Sequence, residues 1–140
     1  MNSELNDQPV DIVADDREHA SEVIASLVGI PGVFVRSDRL ASGDYLADRR
    51  ILFERKTLLD LARSIVDGRL FKQMVRLVKS KYKAVLILEG TGKDAECLGM
   101  RREALQGALI TISLILGIPV LRSMAPEETA RLIVYPAIIS

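Results

Sequence analysis

Apolar residues in this chain come in short runs divided by turn-forming residues, and the divisions set the elements. Val10 to Ala14 is rich in β-branched residues, which predicts a buried strand, and Asp15-Asp16-Arg17-Glu18 then leads into a helical segment through Val28. Gly29-Ile30-Pro31-Gly32 breaks that helix, and Val33 to Val35 forms a second strand, from which the chain leads through Arg36-Ser37-Asp38 to Gly43. Further strands are predicted near Tyr45–Ala47 and Ile51–Arg55, with Asp48-Arg49-Arg50 as the hairpin between them. Leu58, Leu59 and Leu61 open a helix after Thr57. Asp67 to Phe71 breaks it from a second helix, Arg69 to about Lys81, with Leu70, Met74, Leu77 and Val78 as its buried face. Ala84 to Leu88 reads as a buried strand ending at Glu89. The segment Arg101 to Gly117 predicts a helix that is apolar on nearly all sides, so it is either buried or shared with another subunit. A last strand, Ile118 to Leu121, precedes a short helix from Pro126, a residue suited to a first turn, through about Tyr135.

Composition narrows the class. At 140 residues, 49% hydrophobic and 27% charged, the chain suits one compact α/β domain. Basic and acidic residues balance at 19 each, so attraction to nucleic acid has to come from local clusters of Lys and Arg or from a bound cation. The single cysteine, Cys97, and the single histidine, His19, leave no internal disulfide and no Cys/His metal site; both read as structural or incidental. Met1 to Pro9 is polar and acidic, the pattern of a disordered tail and not of a secretory signal. Ala104 to Leu116, the longest apolar stretch, contains Gln106 and Gly107 and is shorter than the ~20 residues that span a bilayer. The expectation is a soluble, cytoplasmic protein with no membrane association.

The chemistry concentrates between Gly43 and Asp60. Strand alternation puts Glu54 and Lys56 on one side of a sheet and Arg55 on the other. If the two hairpin strands pair, Asp44 approaches Glu54 and Lys56, which gives two hard oxygen ligands and one fixed cation. Mg²⁺ commonly takes only one or two protein carboxylates and keeps several waters, leaving positions for phosphate oxygens. Such a site suits phosphodiester hydrolysis, with Lys56 orienting water or offsetting developing charge.

Gly43-Asp44, a spacer, Glu54-Arg55-Lys56, three residues and Asp60 closely resemble the signature of the XPF family of structure-specific DNA endonucleases. A bare acid followed by E-x-K is a weak pattern, but all six fixed positions with both inner spacings are a strong one. Asp15, Arg17 and Glu18 match the family's D-x-R-E motif after the first strand, and Gly68 to Phe71 match its Gly-Arg-Leu-Phe/Tyr turn. The resemblance covers about Val10 to Val134. It implies a restriction-endonuclease-like fold with a mixed central β-sheet flanked by helices, and catalytic roles for Asp44, Glu54, Arg55 and Lys56. It also implies that Asp15 and Glu18 join Asp44 and Glu54 around Mg²⁺ or Mn²⁺, with Arg17 and Asp60 in supporting positions.

Each motif has a plainer reading. Asp15 with Glu18, and Thr57 with Asp60, are also capping-box spacings that simply start a helix. Arg55 pairs with a carboxylate such as Asp60, or reaches phosphate if the strand ends or bulges at Glu54. Arg69, Lys72, Arg76, Lys79 and Lys83 form a stripe that is either a solvated face or a phosphate track. With no acidic residue from Gly68 to Ala84, the phosphate track is the working expectation, with Arg69 and Lys72 nearest the cut strand. Gly90 to Asp94 lacks the residues of a phosphate loop, because Ile87 and Asp94 stand where that motif needs Gly and Ser or Thr.

The expectation is a nuclease domain over residues 10–136 that nicks branched DNA, a flap or fork, near a single-strand/duplex junction. By resemblance it forms a homodimer through its C-terminal helices, and the helix-hairpin-helix domain common in the family does not follow residues 137–140. The alternatives are a catalytically silent DNA-binding scaffold subunit and a junction-resolving nuclease of the same superfamily.

Overall fold

The computed structural model describes residues 9–18, 20–91, 93 and 99–139; the expectations for the N-terminal tail, His19 and Cys97 lie outside the described residues, apart from Pro9. Six strands are described: β1 (Val10–Asp15), β2 (Val33–Asp38), β3 (Tyr45–Ala47), β4 (Ile51–Thr57), β5 (Lys83–Glu89) and β6 (Val120–Ser123). The helices are α1 (Ser21–Val28), α2 (Leu58–Val66), α3 (Leu70–Val78), α4 (Arg102–Ile110), which continues as a π-helical turn Thr111–Ile115, and α5 (Pro126–Ile139). They flank a single mixed sheet of order β2-β1-β3-β4-β5-β6. Only β3 is antiparallel to its neighbours, pairing Ala14 with Tyr45 on one side and Tyr45 with Phe53 on the other.

Consecutive residues of the inner strands feed opposite cores. Ile12, Tyr45, Phe53 and Ile87 pack with Val23 and Leu27 of α1 and with Ala130 and Ile133 of α5. Val13, Leu46, Leu52, Leu86 and Leu88 pack on the other face with Leu61 of α2 and with Met74 and Leu77 of α3. Covering both faces is what turns these strands into continuous apolar runs instead of alternating ones.

The hairpin between β3 and β4 turns where expected. Asp48 (φ 48°) and Arg49 (φ 54°) are both left-handed, and the Arg50 N–H closes the turn on the Ala47 carbonyl at 3.0 Å. Asp48 offsets part of that strain by accepting the Asp11 N–H on Oδ1 at 2.9 Å.

Several boundaries move for identifiable reasons. The first helix starts only at Ser21 and Ala20 provides no side-chain cap, because Asp15 still belongs to β1 and its carboxylate is engaged elsewhere. β4 continues through Lys56 to Thr57, since its parallel pairing with β5 runs as far as Thr57 opposite Glu89. α3 stops at Val78, which is 42% exposed, so Lys83 lies in β5 and leaves the basic stripe. The last strand is shifted to Val120–Ser123, where it pairs with Leu86 to Glu89.

Gly43 makes the entry to β3 feasible. Its φ is +78°, and a Cβ there would meet Leu52 Cδ1 at 2.6 Å. Gly32 has a similar φ of +80° with nothing near a Cβ, so it separates backbone strain from collision. Gly43→Ala is therefore expected to lower stability by roughly 1–3 kcal/mol more than Gly32→Ala in denaturant unfolding; equal losses would mean that Leu52 moves aside.

Candidate active site

The reversed direction of β3 brings distant residues to one edge of the sheet. β1, β4 and β5 end in Asp15, Glu54–Thr57 and Glu89, while Asp44 immediately precedes β3 at that same end. The carboxyl ends of parallel strands are where α/β sheets commonly hold ligands. Asp15, Asp44, Glu54 and Lys56 lie in register with Val13, Leu46 and Leu52, so all four belong to the sheet face covered by α2 and α3.

Asp44 is fixed by the backbone around it. Its N–H donates to the Phe53 carbonyl and its carbonyl accepts the Asp15 N–H, each at 2.8 Å. Its carboxylate Oδ2 accepts the Arg55 N–H, also at 2.8 Å, so the side chain takes the place of the next acceptor in the β3–β4 ladder. Burial, followed by repulsion from Glu54, pushes the Asp44 carboxyl up to about 8. Glu54 is pushed up to about 7, again chiefly by burial; Lys56 opposes the rise, and Glu18 and Asp15 add to it. Two half-buried acids therefore share a space in which their negative charge is under-compensated.

Lys56 stands beside them as a largely buried cation, 6% exposed, its Nζ donating to Ser64 Oγ of α2 at 3.2 Å. A cleft of about 290 Å³ opens over the two acids and is lined also by Asp15, Arg17, Glu18, Gln73 and Arg76.

The remaining sequence candidates fall into three groups. Asp15 accepts from Arg17 Nε (2.9 Å) and Nη2 (3.2 Å), from the Arg17 N–H (3.2 Å) and from the Leu40 N–H (2.8 Å). Burial alone would raise its carboxyl, but these donors outweigh burial and hold it below the ordinary value. Asp15 thus anchors the loop after β2, and Arg17 extends that anchor by donating to the Leu40 carbonyl at 2.7 Å. Glu18 borders the cleft and accepts the Ala20 N–H at 3.1 Å, which replaces the expected capping box. Among the described residues, no three of His, Cys, Asp and Glu converge on a common metal position, so the structure does not gather Asp15 and Glu18 into one donor cluster with Asp44 and Glu54. The Asp15 carboxylate is taken by Arg17 and the Leu40 N–H, while Glu18 accepts the Ala20 N–H and still borders the cleft, near enough to help raise Asp44 and Glu54.

Asp60 forms the predicted capping box: its N–H donates to Thr57 Oγ1 at 3.0 Å, and its Oδ2 accepts the Thr57 N–H at 3.3 Å. It is therefore not the partner of Arg55. That guanidinium lies on the opposite sheet face and donates from Nε and Nη2 to the two oxygens of Glu89, at 3.0 and 2.6 Å.

On α3, Arg76 lines the cleft together with Gln73, one turn away. Arg69 instead sits at the helix N-cap and pairs with Asp67 at 3.0 Å, and Lys72 and Lys79 do not line the cleft, so Arg76 is the residue of the stripe that borders the two acids. Sequence reasoning passed over Ser64, Gln73, Glu89 and Thr129. Only Glu89 carried a signal, as an acid closing the apolar run Ala84 to Leu88. Gln73 Oε1 is buried without a hydrogen-bond partner and belongs to a residue of the cleft wall.

A donor set of two half-buried carboxylates is suited to a hard divalent cation that retains waters, which would relieve the repulsion between them.

Comparison with known proteins agrees with this geometry. The ERCC4 domain model matches residues 14–135. The chain is 34% identical over 128 residues to a putative ATP-dependent RNA helicase of Methanocaldococcus jannaschii, covering 91% of this chain and 15% of that protein. It is 32% identical over 122 residues to the 3′-flap repair endonuclease Xpf of Saccharolobus solfataricus, covering 87% of this chain and 52% of the relative. The chain thus spans about half or less of these relatives. Among solved structures, XPF from Aeropyrum pernix in complex with DNA superposes with a TM-score of 0.80 at 33% identity, covering 92% of this chain and 63% of that one. With most of its length matched by the family model and its fold shared with an archaeal XPF, the chain belongs to the ERCC4 domain family.

Proposed function

We propose that this domain is a divalent-metal-dependent endonuclease that nicks one DNA strand at flap or fork junctions in repair or recombination. The observation that carries the reading is the pair Asp44 and Glu54, two acids raised chiefly by burial and further by neighbouring carboxylates, beside the fixed cation Lys56, in a domain of the ERCC4 family. The names of the relatives support a DNA substrate: one is a flap endonuclease, and another structure was solved with DNA.

In this reading Asp44 and Glu54 would hold Mg²⁺ or Mn²⁺, and Glu18 and Asp15 would add negative charge beside it. The ion supplies electrophilic assistance at a phosphodiester and a more acidic bound water. Lys56 lies on the same sheet face, where its bond to Ser64 restricts its rotation, and it orients the attacking water. Arg76 meets a phosphate at the cleft, while Arg69, Lys72 and Lys79 follow the duplex further along α3.

Two copies pair through the C-terminal helices, a reading supported by exposed apolar side chains at Ile110, Leu114 and Ile115 and at Tyr135 and Ile139 of α5. Among the described residues no helix is long and apolar enough to cross a membrane. A DNA substrate places the enzyme inside the cell.

Cleavage of end-labelled flap, fork, four-way junction and plain duplex DNA tests the activity directly. The native chain is expected to nick flap or fork only with Mg²⁺ or Mn²⁺, and Asp44→Asn is expected to fall to the metal-free background. Binding without any metal-dependent cut would leave a scaffold, and preferential cutting of the four-way junction would make it a resolving nuclease.

For DNA affinity, Arg76→Ala is expected to weaken binding and to lower the salt slope by about one. Arg69→Ala, which removes a group already paired with Asp67, is expected to do less. The reverse order would restore Arg69 as the nearest phosphate contact.

The raised acids also fix a pH dependence. Between the ordinary values of 3.8 and 4.5 and the raised values of about 8 and about 7, the folded metal-free chain holds protons that the unfolded chain has released. Stability from these groups is therefore full below the ordinary values and is lost as pH rises through the raised ones. Asp15 and Glu89, both held low, act only in the acid range below their ordinary 3.8 and 4.5. Tm of metal-free protein is expected to fall from pH 5.5 to about 8, to fall less in Asp44→Asn, and to recover with Mn²⁺ chiefly at the alkaline end. Coincident curves for the native chain and Asp44→Asn would remove the charge repulsion from the account.

A further inference from the structure

The side chain of Arg55 lies across the sheet from the cleft, yet its backbone N–H holds the Asp44 carboxylate. Behind that residue is a continuous polar chain. Arg55 Nε and Nη2 grip Glu89 at 3.0 and 2.6 Å. Thr129 Oγ1 of α5 donates to Glu89 Oε1 at 2.6 Å, and Ser123 Oγ of β6 lies 2.8 Å from that hydroxyl. Ser123 Oγ is 2.9 Å from the Ala125 carbonyl, just ahead of α5. The ion pair is nearly dry, with side-chain exposures of 17% for Arg55 and 9% for Glu89, and Thr129 is fully buried.

The fork of Arg55 is thus committed to a carboxylate that is itself held by a helix from the far end of the chain. Such a pair ties the Arg55 side chain to β5 and, through Thr129, to α5, on the opposite face from the Asp44 carboxylate that the Arg55 N–H holds. We propose that Glu89 and Thr129 are positioning residues that set the Asp44 carboxylate through Arg55, and that the Arg55 guanidinium acts within the protein and not on substrate phosphate. The proposal deepens the nuclease reading and rests on it for the consequence in catalysis, but its structural half is independent of any activity.

Removing one partner of a buried pair leaves a stranded charge, whereas replacing both by apolar side chains of similar volume is often harmless. Glu89→Met, Thr129→Val and the pair Arg55→Met with Glu89→Met separate the roles. In the ¹⁵N-labelled 140-residue chain, hydrogen exchange of the residue-55 amide reads the bond to Asp44 directly. Its protection is expected to drop about tenfold in Glu89→Met, to drop less in Thr129→Val, and to return in the double variant. Flap nicking is expected to follow the same order, with the loss in kcat and not in KM, and with recovery in the double variant.

An Arg55 amide that is equally protected in Glu89→Met overturns the positioning chain. A double variant whose residue-55 amide is protected again but whose nicking stays as low as in Arg55→Met overturns the other half, because the guanidinium then touches substrate. Should the native chain cut no DNA, the nuclease reading fails by itself, and the exchange series still decides the positioning chain.

Discussion

Burial of two carboxylates side by side is the constraint around which this end of the molecule is built. Asp44 and Glu54 are pressed together on one face of the sheet, and each is raised by burial and by neighbouring negative charge. A fold keeps such a pair only if the surrounding backbone leaves the acids no room to part. Here Asp44 is held on three sides, by Phe53, Asp15 and Arg55, at 2.8 Å in each case. The strain is local, and the two apolar cores on either side of the sheet carry the stability that sustains it.

That arrangement depends on one strand running against the rest. With β3 parallel, Asp44 would lie at the opposite end of the sheet from Glu54 and Lys56. With β3 antiparallel and only three residues long, the chain has to enter it sharply, and Gly43 does so with a left-handed φ while lying against Leu52. The positive-φ turn at Asp48 and Arg49 reverses the chain so that Tyr45 meets Phe53. The spacing between Asp44 and Glu54 in the sequence is therefore the contour length of this hairpin.

Local physics was legible in the sequence, and tertiary capture was not. The strands from Val10, Tyr45 and Ile51 were readable because their apolar runs are short and bounded by turn residues, and the Thr57–Asp60 capping box was readable because both partners lie within one helical turn. Asp15 and Glu18 show where such reading runs out. The same spacing serves a cap or a ligand pair, and the structure uses neither a cap nor a shared donor cluster, because Arg17 and the Leu40 N–H take the Asp15 carboxylate first. Arg55 and Glu89 are 34 residues apart, and Glu89 and Thr129 are 40 apart, so no local pattern links them. The phase of α3 that turns Arg76 and not Arg69 toward the cleft was likewise fixed by packing of Met74 and Leu77, not by the basic stripe itself.

The two faces of β4 divide the work between adjacent residues. Glu54 and Lys56 face the cleft and its helices α2 and α3, while Arg55, between them, faces α5. A strand with charges on both faces is costly to bury, and each charge here is answered differently. Lys56 is met by Ser64 and the two acids, and Arg55 by a carboxylate already bonded to a buried hydroxyl. Apolar side chains at both 55 and 89 would fill the same space and strand no charge, whereas loss of Glu89 alone leaves the Arg55 guanidinium unpaired beneath the strand that holds Asp44. The ion pair is weak evidence for stability and stronger evidence for register. Alternating Glu-Arg-Lys is in this sense a single device: the outer residues make the site, and the middle one fixes the strand that presents them.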